Sequence, residues 1–139
     1  MPRYFPIPIP AEIPASKSDM VAFRWGEGGI DADFVIPSAP TTALRVSFDK
    51  QCIVRILDEM PLSTEEENGA AEGRVAEQFA YRVEGAAFEA AQSWAWKEVF
   101  RSTFHWQFVT RSTCLDVLSP ATPSFSVVPR AKRCRREAC

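Results

Sequence analysis

A stretch of alternating aromatic residues near the C-terminus constrains the fold more than any other feature of the chain. Phe104, Trp106 and Phe108 alternate with smaller or more polar neighbours, and a period of two residues is typical of a β-strand. A short polar turn at 111–113 follows, and a second apolar segment comes directly after it. The pattern predicts a β-hairpin over residues 102–119, around which the rest of the chain is organised.

The pairing register decides which side chains share a face of this hairpin. If residue 110 lies opposite residue 114, Phe104, Trp106, Phe108 and Asp116 share one face. Such a face can line a pocket for a small ligand, where burial among the rings would raise the pKa of the Asp116 carboxyl group. The competing interpretation is an ion pair between Asp116 and an arginine, and a slip of one residue would reverse the faces. The candidate arginines are Arg45, Arg55 and Arg82.

The only histidine in the sequence, His105, lies within the same hairpin. With Asp116 it forms the alternative catalytic pair, as an acid–base group. No serine or cysteine stands at a spacing that completes a triad, so the sequence favours a hydrogen-bonded strand histidine. The four cysteines contain no Cys-x-x-Cys pair, and neither a metal site nor a cofactor is predicted.

Residues 86–101 differ in character, because alanines recur and apolar residues follow helical spacing. In such a helix Trp94 lies away from the apolar stripe, on a face shared with Lys97 and Arg101. An exposed tryptophan beside cations is typical of a protein interface. Packing of Trp94 against the N-terminal arm is the alternative, and a strand over 94–100 also fits the spacing. The sequence therefore offers Trp94, Lys97 and Arg101 as a partner-binding surface.

Composition divides the chain into a proline-rich N-terminal arm at 1–20, a single globular domain at 21–129 and a basic tail at 130–139. The prolines hold the arm extended, so that it lies over the body of the protein. A second hairpin is predicted over 43–58, with its apolar return strand inside the sheet. A last short strand is predicted at 125–128.

These elements predict a β-rich α+β fold, an antiparallel curved sheet or partial barrel with one main helix near residues 86–101. At 139 residues and 46% hydrophobic content, the chain suits one folded domain. Its formal net charge of −2 argues against nucleic acid as a partner. Five of the 16 lysine and arginine residues lie in the tail, which is at most a weak auxiliary site for acidic partners.

Prolines interrupt the apolar residues near the N-terminus, and no stretch is long enough to cross a bilayer. A cytoplasmic location with reduced thiols is therefore predicted, with no membrane as a partner. The predicted function is a small non-enzymatic protein-interaction domain that binds another protein, and a homo-oligomer is a further option. The alternative is a small-molecule-binding or enzymatic β-rich domain whose aromatic pocket contains Asp116.

Overall fold

Two antiparallel β-sheets form the fold. The structure, a computed structural model, describes residues 2–49, 52–58, 72–90, 92 and 103–130. The strands are, in chain order, β1 (Arg3–Pro6), β2 (Met20–Gly26), β3 (Gly29–Val35), β4 (Thr42–Phe48), β5 (Ile53–Asp58), β6 (Ala80–Glu84), β7 (Phe104–Val109), β8 (Thr113–Ser119) and β9 (Ser124–Pro129). A 3₁₀ turn at Ala15–Lys17 and a helical turn α1 at Ala87–Ala90 complete the described elements.

Sheet A has the strand order β1-β6-β7-β8-β5, and sheet B has the order β2-β3-β4-β9. The predicted β-rich, antiparallel character is confirmed, but two stacked sheets replace the single curved sheet or partial barrel. Of the helix predicted near 86–101, the described residues contain only the single turn α1, and 93–102 lie outside them. In the part of the chain that is described, no helix has the length and apolar character needed to cross a membrane.

The interface between the two sheets is aromatic. Phe108 of β7 lies with its ring centroid 6.0 Å from that of Phe34, 6.3 Å from that of Phe48 and 6.5 Å from that of Phe125, all in or beside sheet B strands. Phe79, which precedes β6, adds a fourth ring at 5.7 Å. Tilted and edge-to-face contacts at these distances are favourable for aromatic pairs. The aromatic stripe of the predicted hairpin therefore packs into the core of the protein.

The prediction of a second hairpin over 43–58 is wrong. β4 pairs with β3 and β9 in sheet B, whereas β5 pairs with β8 at the edge of sheet A. The alternation of apolar and polar residues along the two segments indicates which side chains are buried, but it does not indicate which strands pair with each other. The return strand, β5, also lies at an edge rather than inside its sheet, because among the described strands it pairs with one neighbour, β8.

The N-terminal arm contacts the body through a short edge strand. β1 pairs with β6, and the ring of Tyr4 lies 5.4 Å from that of Tyr81 in an edge-to-face contact. Beyond the strand, Ile7 and Ile9 pack against the core between the sheets. An edge position suits Pro6, which has no backbone N–H to donate to a ladder.

We expect Phe108→Ala to lower the free energy of unfolding by about 3–5 kcal/mol, because it leaves a cavity among four aromatic rings. Phe104→Ala is the matched control from the same strand, since Phe104 is 38% exposed. Phe104→Ala should lower the free energy of unfolding by well under half as much as Phe108→Ala. Urea denaturation of both variants checks this, and equal losses would contradict the assignment of Phe108 to the centre of the core.

Candidate functional site

The hairpin over 102–119 forms as predicted, but its register differs by one residue. Phe108 pairs with Leu115, and Gln107 pairs with Asp116. The cause is the turn, which has two residues rather than three. Thr110 closes it, because its hydroxyl donates to the Thr113 carbonyl oxygen at 2.8 Å and accepts from the Thr113 N–H at 3.0 Å. Side-chain chemistry at the turn thus sets the register of the whole hairpin.

This register places Asp116 on the face of sheet A opposite to the aromatic stripe. Trp106 and Phe108 are buried in the core between the sheets, and Phe104 lies on the same face with its ring 6.1 Å from that of Trp106. Alternate residues of a strand point to opposite faces. Phe104, Trp106, Phe108 and Asp116 therefore do not line one common pocket.

Asp116 is instead the centre of a buried polar network with 0% exposure. Its Oδ1 accepts hydrogen bonds from Nε2 of His105 at 2.7 Å and Nε2 of Gln107 at 3.0 Å. Its Oδ2 accepts from Nε and Nη2 of Arg55 at 3.2 and 3.0 Å. The Arg55 guanidinium lies 4.4 Å from the ring centroid of Phe88 in α1. Of the predicted alternatives for Asp116, the structure has the ion pair, and the arginine is Arg55.

The electrostatics of this network favour the ionised form of the Asp116 side chain. Burial by itself would raise the pKa of Asp116, but the hydrogen bonds from His105 and Gln107 and the charge of Arg55 outweigh it and hold the pKa below its ordinary value. The sequence interpretation expected a raised pKa because it surrounded the carboxyl group with rings. An ionised Asp116 only accepts, so His105 carries its proton on Nε2.

The two residues of the alternative catalytic pair are thus in contact, but they are sealed from solvent. His105 and Asp116 are both buried, and Phe88 covers the imidazole with a ring-to-ring distance of 5.5 Å. An acid–base group must reach the proton that it transfers. In this arrangement His105 and Asp116 link β7 to β8, and Arg55 links Asp116 to β5. The pair does not face a substrate.

A second ion-pair cluster lies on the side of sheet B that faces away from the core. Asp33 accepts from Nε and Nη2 of Arg45 at 2.9 and 3.1 Å and from Nη2 of Arg24 at 2.9 Å. Burial alone would raise the pKa of Asp33, but hydrogen bonds from the two guanidinium groups lower it overall. Both arginine side chains are partly exposed, so water can hydrate them if the carboxylate is lost.

We expect Asp116→Asn to destabilise the protein by about 3 kcal/mol, because the Arg55 charge loses its partner under α1. Asp33→Asn is the matched control, and it should cost less because Arg24 and Arg45 reach water. Denaturant unfolding of both variants at neutral pH measures the difference. Equal losses would contradict the view that the Asp116 network is the dominant ion pair.

The same network predicts a direction for acid sensitivity. The folded-state pKa of Asp116 is lowered, so its contribution to stability is complete above the unfolded-state pKa of about 4 and disappears as the pH falls through the folded-state value. We expect the unfolding free energy of the wild type to fall more steeply below about pH 4 than that of Asp116→Asn. Unfolding curves recorded across that pH range test this, and parallel pH profiles would contradict it.

The most exposed large aromatic side chain of the described residues lies elsewhere, on the hairpin of β2 and β3. Trp25 is 61% exposed and stands one residue before the turn. Gly29 fixes the position of that turn, because its φ is +127° and a Cβ there would overlap the carbonyl oxygen of Phe48. Only glycine tolerates both constraints. The hairpin is therefore held closely against the end of β4.

An open cavity of about 350 Å³ lies between this turn and the end of β4. The described residues that line it are Arg24, Trp25, Gly26, Gly28, Gly29, Ile30, Asp31, Ser47, Phe48 and Asp49. Its two carboxylates outnumber the one described cation, Arg24, whose charge is already paired with Asp33. Ser47 donates to Oδ1 of Asp31 at 2.6 Å and holds that carboxylate in place. As far as its described lining residues go, the cavity is therefore acidic beside an exposed indole ring.

Sequence reasoning missed this site. The local sequence favours a short strand over Val21–Trp25 and a turn at the glycines that follow, and the structure has both. The available signal was the position of a tryptophan on a strand end, directly before a glycine-rich turn. The predicted partner-binding residues Trp94, Lys97 and Arg101 lie outside the described residues.

Compared with protein-family models, with curated proteins and with solved structures, the chain shows no significant match to any of them. Within residues 2–49, 52–58, 72–90, 92 and 103–130, no three His, Cys, Asp or Glu side chains are grouped as metal ligands would be. The function of this chain must therefore be argued from its own geometry.

Proposed function

We propose that this protein is a small non-enzymatic domain that binds another protein through a surface centred on Trp25. The observation that carries the proposal is the exposure of this indole ring on a hairpin whose turn is fixed by Gly29. Tryptophan is enriched among the residues that dominate binding energy at interfaces. A rigid hairpin also presents it with little loss of conformational entropy on binding.

The chemistry of the neighbouring cavity supports a basic segment of the partner as its occupant. The carboxylates of Asp31 and Asp49 lie in the same cavity as Trp25. An arginine or lysine side chain can stack on the indole ring and pair with a carboxylate at the same time. The cavity is open rather than enclosed, which suits an extended chain lying across it more than a small buried ligand.

The alternative function, a small-molecule or enzymatic site at the aromatic hairpin, receives less support. Its rings at Trp106 and Phe108 are occupied by core packing, and its carboxylate, Asp116, pairs with Arg55 on the other face. The proposed location is the cytoplasm, where reduced thiols persist.

A peptide titration tests the proposal directly. Isothermal titration with a short arginine-rich peptide should show binding, and the same peptide with citrulline in place of arginine should bind much more weakly because it has no charge. Trp25→Ala should weaken binding of the arginine peptide by about tenfold, the loss of one desolvated cation–π contact.

Two control variants sharpen the result. Val75→Ala changes another exposed apolar side chain, 53% accessible and outside the cavity, and should leave the affinity unchanged. Trp94→Ala repeats the tryptophan substitution at the surface predicted from sequence. Equal binding of the arginine and citrulline peptides, or an affinity that depends on Trp94 and not on Trp25, would overturn the proposal.

A further inference from the structure

β9 forms one edge of sheet B, and within the described part of the chain it pairs only with β4. The N–H of Arg130 donates to the carbonyl oxygen of Thr41 at 2.8 Å, which identifies this opposed pair as hydrogen-bonded. In an antiparallel ladder such pairs alternate with non-hydrogen-bonded ones. Counting back along β9 in the observed register, Ser126 directs its backbone groups toward β4, whereas Phe125 and Val127 direct theirs outward.

The position of Pro129 agrees with this assignment. It falls at an outward-directed position, where the missing N–H removes no bond to β4. Among the described residues, no backbone group hydrogen-bonds to the outward groups of Phe125 and Val127. The edge of β9 thus presents two N–H donors and two carbonyl acceptors in a regular row.

β9 lacks most of the features that normally protect an edge strand, and of these it has only the proline at its end, Pro129. Its sequence, Ser-Phe-Ser-Val-Val-Pro, contains no charge, and its register with β4 has no bulge. The opposite edge, β2, has a register shift between Met20 and Ala22, and β1 is covered by a backbone hydrogen bond from Tyr4 to Glu72. Val127 is 52% exposed. The fourth edge strand, β5, carries Arg55 and Asp58, so β9 is the one described edge strand without a charged residue.

We propose that two copies of this chain associate through β9, antiparallel about a two-fold axis at Ser126, so that sheet B continues from one copy into the other. Strand addition of this kind uses backbone hydrogen bonds for affinity, and a two-fold interface places the same surface on both subunits. The second copy is the occupant because an axis at Ser126 pairs all the outward N–H and carbonyl groups of Phe125 and Val127 with those of the same strand in the other copy.

That register follows from the outward groups. An axis at Ser126 places Phe125 opposite Val127 of the second copy, so that both residues exchange N–H···O bonds across the interface. An axis at Phe125 would place Val127 opposite Pro123, and an axis at Val127 would place Phe125 opposite Pro129. Both prolines lack an N–H, so in each shifted register one outward carbonyl oxygen per copy, that of Val127 or of Phe125, faces no donor. The side chains agree, since Phe125 and Val127 become apolar neighbours and no like charges meet within β9.

Sedimentation of the full chain tests the association. The wild type should sediment as a dimer in the upper micromolar range, and Val127→Pro should raise the dimer dissociation constant at least about tenfold, since two donors are lost across the two-fold axis. The β4 pairing should survive this change, so far-ultraviolet circular dichroism should be unaltered. A wild type that stays monomeric throughout the range would overturn the proposal.

A charge pair keeps the test decisive if the proline variant does not fold. Ser126→Lys and Ser126→Glu each place like charges opposite each other at the axis and should each weaken self-association. Mixing the two variants should restore a heterodimer. Self-association that neither substitution changes, or a mixture that gives no heterodimer, would show that β9 is not the interface.

Discussion

The two-sheet arrangement depends on the packing of the Phe108 ring between the sheets. It meets Phe34, Phe48 and Phe125 from sheet B, and Phe79 supports it from the chain that leads into β6. A close-packed interior transmits any displacement of such a ring to both sheets. The orientation of β7, and with it the direction of every other side chain on that strand, follows from placing Phe108 in the core.

With Phe108 turned inward, His105 and Gln107 must point to the opposite face of sheet A. That face is also buried, and a buried polar group is costly unless it is hydrogen-bonded. Asp116 from β8 meets part of this requirement, because it accepts from Nε2 of both His105 and Gln107 and pairs with Arg55 from β5. Nδ1 of His105 and Oε1 of Gln107 have no hydrogen-bond partner among the described residues. A pair that resembles acid–base machinery in sequence thus stabilises the sheet, while the proposed binding surfaces lie on sheet B.

The parts of the fold that depend on local alternation could be predicted. The antiparallel pairing of the aromatic hairpin, apart from its register, and the short strand at 125–128 are predicted correctly from spacing. The strand pairing of residues 43–58 could not be predicted, because strand partners are set by contacts between residues far apart in sequence. Trp25 could be placed on a strand but not recognised as exposed, since its exposure depends on which surfaces the second sheet covers.

By itself the sequence determined that β7 and β8 form a hairpin and that one face of it is aromatic, because alternation is a property of the strand alone. Only the tertiary structure decided the face on which Asp116 lies. The hydroxyl of Thr110 closes a two-residue turn, and that one-residue difference moves the carboxylate from the rings to Arg55 and His105. Register in a sheet is a relation between two strands, and a period of two reverses every side chain when that relation shifts by one.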